Sequence, residues 1–236
     1  MTTISLIGKQ YEDCLLFIDK LNIGETNECS QVKRRLGGMY NFSDAKIPEI
    51  RLDFCCYGSK NAFIINDFTN GTRTSFVSNQ EISVIPNDII DKINNKSNWL
   101  HVCYIDDIEH HDNILKTQIP YSLDFCTLKN RTEYLPIIEK ANIVFDSRER
   151  KCLYETFNIG TPIIFHDEKG IEIVKNRKII FEKSMIPLKN LNVNGAGDLY
   201  ACYFIKNYFR LGLKESSYHA MIQTTKKLTE RQHEKV

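Results

Sequence analysis

Short apolar runs alternate with polar stretches along most of this chain, and this alternation constrains the fold more than any other feature. Each run has about four to eight residues, is rich in β-branched and aromatic side chains and is bounded by Gly, Asn, Asp or Pro, as in β-strands. The runs are ISLIG, LLFID, RLDFCCY, AFIIND, TSFV, WLHVCYI, YSLDFC, NIVFDS, PIIFHD, IEIV and KIIFE. Helix-compatible stretches separate several of the later runs, namely PNDIIDKINNKS, IEHHDNILKTQ, RTEYLPIIEKA and RERKCLYETFN. The alternation predicts βαβ units in an open, mostly parallel sheet of the α/β class.

The N-terminal third of the chain has a different pattern. From about Asp13 to Val77 the strand-like runs follow one another with little helix between them. Within this part, Asn70-Gly71 supplies a turn whose residues tolerate positive φ, which is typical of a β-hairpin. The pattern predicts a small antiparallel flap attached to the main sheet.

Two helices are predicted to close the chain. The first extends from Asp198 to Leu211 and the second from Glu215 to about Glu230, with Gly212 between them as a C-cap. No internal repeat or low-complexity linker interrupts the sequence, so we expect a single domain over residues 1–236.

Charge and composition argue against several function classes. The 31 basic and 30 acidic side chains nearly cancel, so no global field attracts nucleic acid or an anionic membrane. No apolar run approaches the roughly 20 residues that cross a bilayer, and the first residues lack the pattern of a secretory signal. The eight cysteines form no C-x-x-C pair, and we expect most of them to be buried and reduced. The sequence therefore predicts a cytoplasmic protein without nucleic-acid or membrane partners.

The segment from Asn192 to Cys202 carries the strongest chemical signal. Gly195, Ala196 and Gly197 allow the backbone to approach an anion closely, and they precede an amphipathic helix whose free N–H groups attract negative charge. Asp198, in the first turn, is placed to accept a proton from a hydroxyl that attacks this anion, as phosphoryl transfer requires. The spacing alone fits equally well a plain strand-to-helix connection that begins with an acidic residue.

The segment Gly195–Asp198 resembles, position for position, the C-terminal signature of the ribokinase-like (PfkB) sugar kinases, Asp-Thr-Thr-Gly-Ala-Gly-Asp. Upstream, Asn192–Asn194 stand where the family has Asp-Thr-Thr. The resemblance implies that the three small residues form an anion hole and that Asp198 is the catalytic base. It also implies a three-layer αβα sandwich with a mostly parallel central sheet and a small β-rich lid. The implied activity is an ATP-dependent transfer of a phosphoryl group to a hydroxyl of a sugar-like molecule.

Other landmarks occur in the order found in the family. By resemblance, Asp13 hydrogen-bonds sugar hydroxyls, and Gly37 and Gly38, followed by Asn41, form the substrate-contacting element, with the Asn one residue earlier than in the family. Arg73 matches the lid turn Gly-x-Arg. The resemblance places the lid strands at about residues 13–36 and 50–78, and it implies a homodimer through the lid, because an exposed strand edge favours pairing.

The nucleotide side is less similar to the family. The resemblance implies that ATP is bound with Asn194 and Gly170, and that Asp146 and Glu149, in place of Asn-x-x-Glu, support Mg²⁺ indirectly. A solvated helix start explains this acidic pair equally well. The family's Thr-x-Gly after the strand PIIFHD is absent, and between Asn41 and Phe63 only about one strand replaces two helices and a strand.

Several alternatives follow from these differences. The chain could be a catalytically inactive sugar- or nucleotide-binding protein on the same fold, or a kinase for a nucleoside or a vitamin alcohol. The lid favours a sugar substrate, because the related vitamin kinases generally lack this flap. The acidic and His-rich segment 106–112 offers possible metal ligands, but neighbouring residues on a helix face different directions, which favours a polar loop. No P-loop motif and no G-x-G-x-x-G after the first strand is present.

Overall fold

The computed structural model describes residues 1–69, 72–78, 85–109, 111–187 and 192–233; the turn predicted at Asn70-Gly71 and the residue His110 lie outside these ranges. The strands are β1 (Thr2–Ile18), β2 (Gln31–Gly38), β3 (Ile50–Asp67), β4 (Thr72–Val77), β5 (Trp99–Val102), β6 (Tyr121–Asp124), β7 (Ile143–Ser147), β8 (Ile163–Asp167), β9 (Gly170–Lys175) and β10 (Lys178–Ser184). The α-helices are α1 (Asn87–Lys96), α2 (Leu135–Lys140) and α3 (Ala196–His233). Short 3-10 helices cover Met39–Ala45, Ile105–Asp107, His111–Lys116, Thr132–Tyr134 and Arg148–Tyr154.

The strands of the described residues form one mixed sheet in the order β10-β9-β8-β7-β6-β5-β1-β3-β4, with β2 also paired to β1. From β8 to β3 all neighbouring strands are parallel, whereas β9 and β10 add an antiparallel hairpin at one edge. This confirms the predicted α/β class with a mostly parallel sheet. Parallel strands point their carboxyl ends to the same edge, where ligands of such sheets generally bind.

Apolar side chains cover both faces of the sheet. Alternate residues of each strand point to opposite faces, so that Leu6 and Phe145 pack with α3 on one side, whereas Ile7 and Val144 pack with α1 and α2 on the other. The result is the predicted three-layer αβα arrangement. None of the helices in the described ranges is both long and apolar enough to span a bilayer.

Two strands are much longer than the sequence pattern indicated. The runs ISLIG and LLFID belong to the 17-residue strand β1, and RLDFCCY and AFIIND belong to the 18-residue strand β3. The two strands pair in parallel along their whole length, with one register shift between Gly8 and Gln10. The polar residues at this shift interrupt the apolar pattern, so the sequence predicted two separate strands on each side. Hydrogen bonds between β1 and β3 keep both strands continuous across the shift.

The lid is therefore an extension of the main sheet. It contains residues 10–18 of β1 and 59–67 of β3, together with β2 and β4. Residues 50–56, which the sequence analysis placed in the lid, pair with residues 2–8 inside the main sheet. Between Asn41 and Phe63 the chain contains the end of one 3-10 helix and part of β3, which agrees with the shortening inferred from the sequence.

The helices are shorter than predicted between α1 and α3, whereas α1 and α3 themselves lie where the sequence predicted helices. Helix α1 lies within PNDIIDKINNKS, but the stretches at 108–118 and 148–158 contain only 3-10 helices, and α2 is limited to six residues with a proline in its first turn. The range of α3 contains two helices that meet in a kink at Gly212, whose φ of 70° and ψ of −173° are not helical. This confirms the two closing helices and the glycine between them.

The eight cysteines, all within the described ranges, are thiols that form no disulfide with one another, as expected, but the expectation that most are buried was wrong. Only Cys103 and Cys202 are buried, and the rest are half-buried or exposed. Apolar neighbours in the sequence therefore do not ensure that a cysteine is buried.

Candidate active site

A cavity of about 460 Å³ lies between the lid, the carboxyl ends of the parallel strands and the start of α3. This volume lies within the range of small-molecule sites. The predicted site residues that line it are Asp13, Gly38, Asn41, Asn194, Gly195, Ala196, Gly197 and Asp198. Residues that are up to 185 positions apart in the chain thus meet at the edge where an open α/β sheet binds its ligands.

Asp198 lies in the first turn of α3 and is only 3% exposed. Its Oδ2 accepts a hydrogen bond from Asn41 Nδ2 at 2.9 Å, and both carboxylate oxygens accept the Tyr104 hydroxyl at 2.8 Å. Burial raises the pKa of Asp198 to about 6, although these two hydrogen bonds and the charges of Arg35 and Arg73 oppose the rise. A carboxyl group with such a pKa is ionised at neutral pH and can accept a proton during a reaction.

The residues that the sequence analysis predicts as an anion hole lie at the start of α3, where helix geometry leaves N–H groups without intrahelical partners. Gly195 has φ = 73°, and a Cβ there would lie 2.7 Å from Asn41 Cγ; a Cβ at Gly197 would lie 3.2 Å from His166 Cε1. Gly195 therefore requires glycine, whereas a side chain at position 197 would displace the His166 ring by a few tenths of an ångström. The Ala196 amide donates to the Val193 carbonyl oxygen at 3.0 Å, so in this conformation an anion would be bound by the amides of Gly195 and Gly197.

A chain of polar contacts joins Asp13 to Asp198. Arg35 Nε lies 3.8 Å from Asp13 Oδ2, and Arg35 Nη2 donates to Asn41 Oδ1 at 3.1 Å. Asn41 then donates to Asp198. Asp13 Oδ1 is buried and has no hydrogen-bond partner among the described residues, so it can accept a hydrogen bond from a ligand hydroxyl.

Gly37 and Gly38 allow β2 to pass close to this chain of contacts. A Cβ at Gly37 would lie 2.1 Å from Asp13 Oδ2, and one at Gly38, where φ is 63°, would lie 2.5 Å from the Lys9 carbonyl oxygen. The two glycines thus act through close packing: Gly38 lines the cavity, whereas Gly37 makes room for the Asp13 carboxylate.

Asn194 is placed beside the anion hole and is almost fully buried. Its Nδ2 donates to Asn66 Oδ1 at 3.1 Å and to Asn192 Oδ1, while its own Oδ1 is buried without a partner among the described residues. The Asn194 side chain therefore ties the helix start to the lid strand β3.

The structure does not support the metal role predicted for Asp146. Its carboxylate is fully buried and accepts four hydrogen bonds, from Arg131 (2.9 Å), Arg150 (2.5 Å), the Tyr154 hydroxyl (2.6 Å) and the Ser147 amide (2.8 Å). These donors occupy the oxygens that would hold a cation or its water shell. The side chain of Glu149 is 72% exposed and pairs with Arg150, so neither carboxylate fits Mg²⁺ support.

Two other predictions concern residues outside the cavity. Gly170 is not among its lining residues; it has φ = 135° in the tight turn between β8 and β9, and a Cβ there would lie 2.1 Å from the Lys183 carbonyl oxygen. Asp106 accepts bonds from the Cys126 and Thr127 amides and pairs with Arg131, which is the structural role favoured for this acidic segment. Among the described residues, no group of three His, Cys, Asp or Glu side chains is placed to hold a metal ion.

The cavity-lining residues that the sequence analysis missed include Tyr104, Asp124, Arg150 and His166. Tyr104, Asp124 and His166 lie at or just after the carboxyl ends of parallel strands. This position could have identified them from the sequence, because the carboxyl ends of parallel strands lie at the same edge of the sheet. Burial raises the pKa of Asp124 well above its ordinary value, and it lowers the pKa of His166 to about 4, so the imidazole is neutral at pH 7. Arg35 was also missed, and no local pattern marks it.

Comparison with known proteins agrees with this architecture. No family model matches the chain, and no curated protein matches it. Among solved structures, a ribokinase from Thermotoga maritima is 15% identical with a TM-score of 0.66, over 97% of this chain and 92% of that one. A Methanocaldococcus jannaschii nucleoside kinase, an archaeal member of the ribokinase family, is 15% identical with a TM-score of 0.64, over 98% and 99%.

A third similar structure is that of Arabidopsis thaliana ribokinase complexed with ribose and ATP, which is 13% identical with a TM-score of 0.64, over 97% of this chain and 92% of that one. Because all three likenesses extend over nearly the whole of both chains, the protein has the ribokinase fold. Identities this low establish the fold alone, and the chemistry must be argued from the site.

Proposed function

We propose that this protein is a kinase that transfers the terminal phosphoryl group of ATP to a hydroxyl of a sugar or a sugar-like small molecule. The observation that carries the proposal is that the Asp198 carboxylate lines the same cavity as the glycine amides at the start of α3 and as the partly unpaired Asp13. In the proposed reaction Asp198 is the proton acceptor, the glycine amides bind the anion, and Asp13 accepts hydrogen bonds from the hydroxyls of the substrate.

Each of these groups has a distinct task in the proposed reaction. Asp198 accepts the proton of the attacking hydroxyl, while the amides of Gly195 and Gly197 stabilise the charge on the transferring phosphoryl group. Asp13 and Asn41 orient the other hydroxyls of the acceptor. ATP enters with Mg²⁺ as its counter-ion, and we assign no protein ligand to this ion.

Replacing Asp198 by Asn tests the proposal. With MgATP and a panel of free sugars, Asp198→Asn should lower kcat for any accepted sugar by about 10²–10⁴-fold, because the amide cannot take the proton. The control is Asp112→Asn, which removes an exposed carboxylate on the 3-10 helix 111–116. Unchanged turnover in Asp198→Asn contradicts the proposal.

A nucleoside is the second candidate acceptor. The rings of Tyr11 and Tyr104 stack at 5.7 Å and line the cavity together with Phe125, so a flat base has aromatic surface to contact. Comparing kcat/KM for ribose with that for ribonucleosides separates the two candidates, since only one of them should be phosphorylated efficiently.

An inactive binding protein remains the third candidate, motivated by Phe165 and Asp167 at the places of the family's Thr-x-Gly. Calorimetry distinguishes it from a kinase. Binding of a sugar or of ATP without turnover on any acceptor favours the binding protein.

We also propose that the lid pairs with a second copy of the chain. Val32, Leu36, Phe63 and Phe76 lie on the outer face of the lid and are 49–58% exposed, which leaves a shared apolar face on β2, β3 and β4. The eight cysteine thiols suit the reducing cytoplasm, where we propose that the protein acts.

A further inference from the structure

The hydroxyl of Tyr104 contacts the Asp198 carboxylate more closely than any other described group. It lies 2.8 Å from both oxygens, whereas Asn41 contacts only Oδ2, at 2.9 Å. The single Tyr104 proton is shared between the two oxygens, and Asn41 donates one further hydrogen bond. Because a carboxylate offers about four acceptor positions, Asp198 can still accept the proton of an acceptor hydroxyl.

The backbone and a neighbouring ring hold Tyr104 in place. Tyr104 follows β5 with φ = 56° and ψ = 54°, a left-handed conformation that residues other than Gly adopt uncommonly. Its ring stacks on Tyr11 with an interplanar angle of 11°. Tyr11 lies in β1 just beyond the register shift, so the base of the lid supports the ring that orients Asp198.

The charged and titratable groups that face Asp198 come from every surrounding element. They are Arg35 on β2, Arg73 on β4, Cys103 and Tyr104 after β5, Asp124 at the end of β6 and Cys202 on α3. Burial raises the pKa values of Cys103 and Cys202, so these two thiols carry no charge at neutral pH, and it also raises the pKa of Asp124 well above its ordinary value.

The remaining groups that favour the Asp198 anion are the two arginines, Asn41 and Tyr104. Burial and the Asp198 charge raise the pKa of Tyr104 well above its ordinary value, so the phenol keeps its proton and remains a hydrogen-bond donor over the working pH range.

We propose that Tyr104 is a positioning residue that fixes the Asp198 carboxylate and holds it in the ionised form that accepts the proton of the acceptor hydroxyl. This inference rests on the kinase function proposed above and assigns to it a residue that no motif in the sequence marks. Tyr104 itself gives up no proton in the reaction.

A pH profile tests the role. In Tyr104→Phe the Asp198 anion loses a donor to both oxygens, so the acid limb of kcat/KM should move up by about one pH unit from its wild-type position near pH 6. At pH 6 the rate should fall by about fivefold, and below pH 5 by close to tenfold, whereas on the alkaline plateau it should fall by no more than about twofold. The matched control is Tyr121→Phe, which removes another tyrosine hydroxyl bond, to the Ile137 carbonyl oxygen at 2.8 Å, in the core beside α2.

A merely structural role gives a different result. An acid limb that stays in place, or a loss of equal size at every pH, overturns the inference. If Tyr104→Phe fails to fold, 3-fluorotyrosine at position 104 keeps the ring and is a stronger donor, so the limb should move down instead; an unmoved limb there also overturns it.

Direct titration separates this inference from the kinase proposal. Carbon-13 NMR of the aspartate carboxyl groups, with Asp198→Asn to assign the signal, reports the pKa of Asp198 without any turnover. A higher pKa in Tyr104→Phe supports the inference even if no acceptor is phosphorylated. An unchanged pKa in an active enzyme rejects the role of Tyr104 and leaves the kinase proposal in place.

Discussion

Gly195 shows how one absent side chain permits the contacts around Asp198. Its positive φ and its closeness to Asn41 allow the helix start to lie against the side chain that donates to the carboxylate. The local signature marks the glycine, but its neighbour Asn41 lies more than 150 residues earlier. The requirement for glycine is therefore both conformational and tertiary.

Gly195→Ala should destabilise the protein and displace Asn41. Gly24→Ala is the control for the backbone, because Gly24 has φ = 85° and no other atom lies within 4 Å of the position that its Cβ would take. We expect a loss of about 1 kcal/mol in the control, and more in Gly195→Ala because of the 2.7 Å contact with Asn41 Cγ. Urea denaturation measures both. Equal losses of unfolding free energy in the two variants would mean that the Asn41 side chain moves aside at no energetic cost.

At the scale of elements, polar anchors hold the ends of β6 and β7 where long helices are absent. Arg131 is fully buried; it donates to Asp106 at 3.2 Å and to Asp146 at 2.9 Å, and its guanidinium lies 4.1 Å from the Phe125 ring centroid. The residues that follow these strands reach the cavity, so the same anchor positions the loop that contains Cys126 and Thr127.

Arg131→Met should lower the free energy of unfolding by about 3–5 kcal/mol, because the buried Asp106 loses its counter-charge and Asp146 keeps only that of Arg150. Arg148→Met is the matched control: this half-buried arginine pairs with Asp167 at 3.3 Å and Glu182 at 3.8 Å, and we expect a loss of about 1 kcal/mol or less. Denaturant unfolding at constant pH compares the two. A loss in Arg131→Met no larger than in the control would show that the carboxylates accept protons or water instead.

At the scale of the whole molecule, the lid extends the central sheet and leaves an apolar outer face. A second copy that covers this face would remove Phe63 and Phe76 from water, which favours association. Because residues of β1 contribute both to the sheet and to the lid, pairing through the lid would also restrain Asp13 and Tyr11 at the cavity.

Phe63→Glu should convert the dimer that we propose into a monomer, since burying a carboxylate in an apolar interface is costly. Sedimentation velocity over a range of concentrations measures the change. Ile179→Glu is the control, because this residue is 54% exposed on a strand at the opposite edge of the sheet. A wild-type protein that remains monomeric, or a Phe63→Glu dimer, rejects pairing through the lid.

Much of the fold follows from local patterns. The apolar runs predicted the strands of the parallel sheet, and Gly212 predicted the change of direction in α3. The predictions were wrong where a long-range partner overrides a local break, as in β1 and β3, and where short 3-10 helices replace the longer helices expected after β5 and β7. Hydrogen bonds to a neighbouring strand are not encoded within a short window of sequence.

The sequence by itself determined the α/β alternation and the stretch of small residues before Asp198, because both depend on side chains within a few positions of one another. Only the tertiary structure decided which groups surround that carboxylate. Asn41 and Tyr104 lie 157 and 94 residues away along the chain, and the sheet order brings them within hydrogen-bond distance. The tertiary structure also decided that Asp146 forms ion pairs with Arg131 and Arg150, since the charges next to a carboxylate depend on which segments of the chain pack around it.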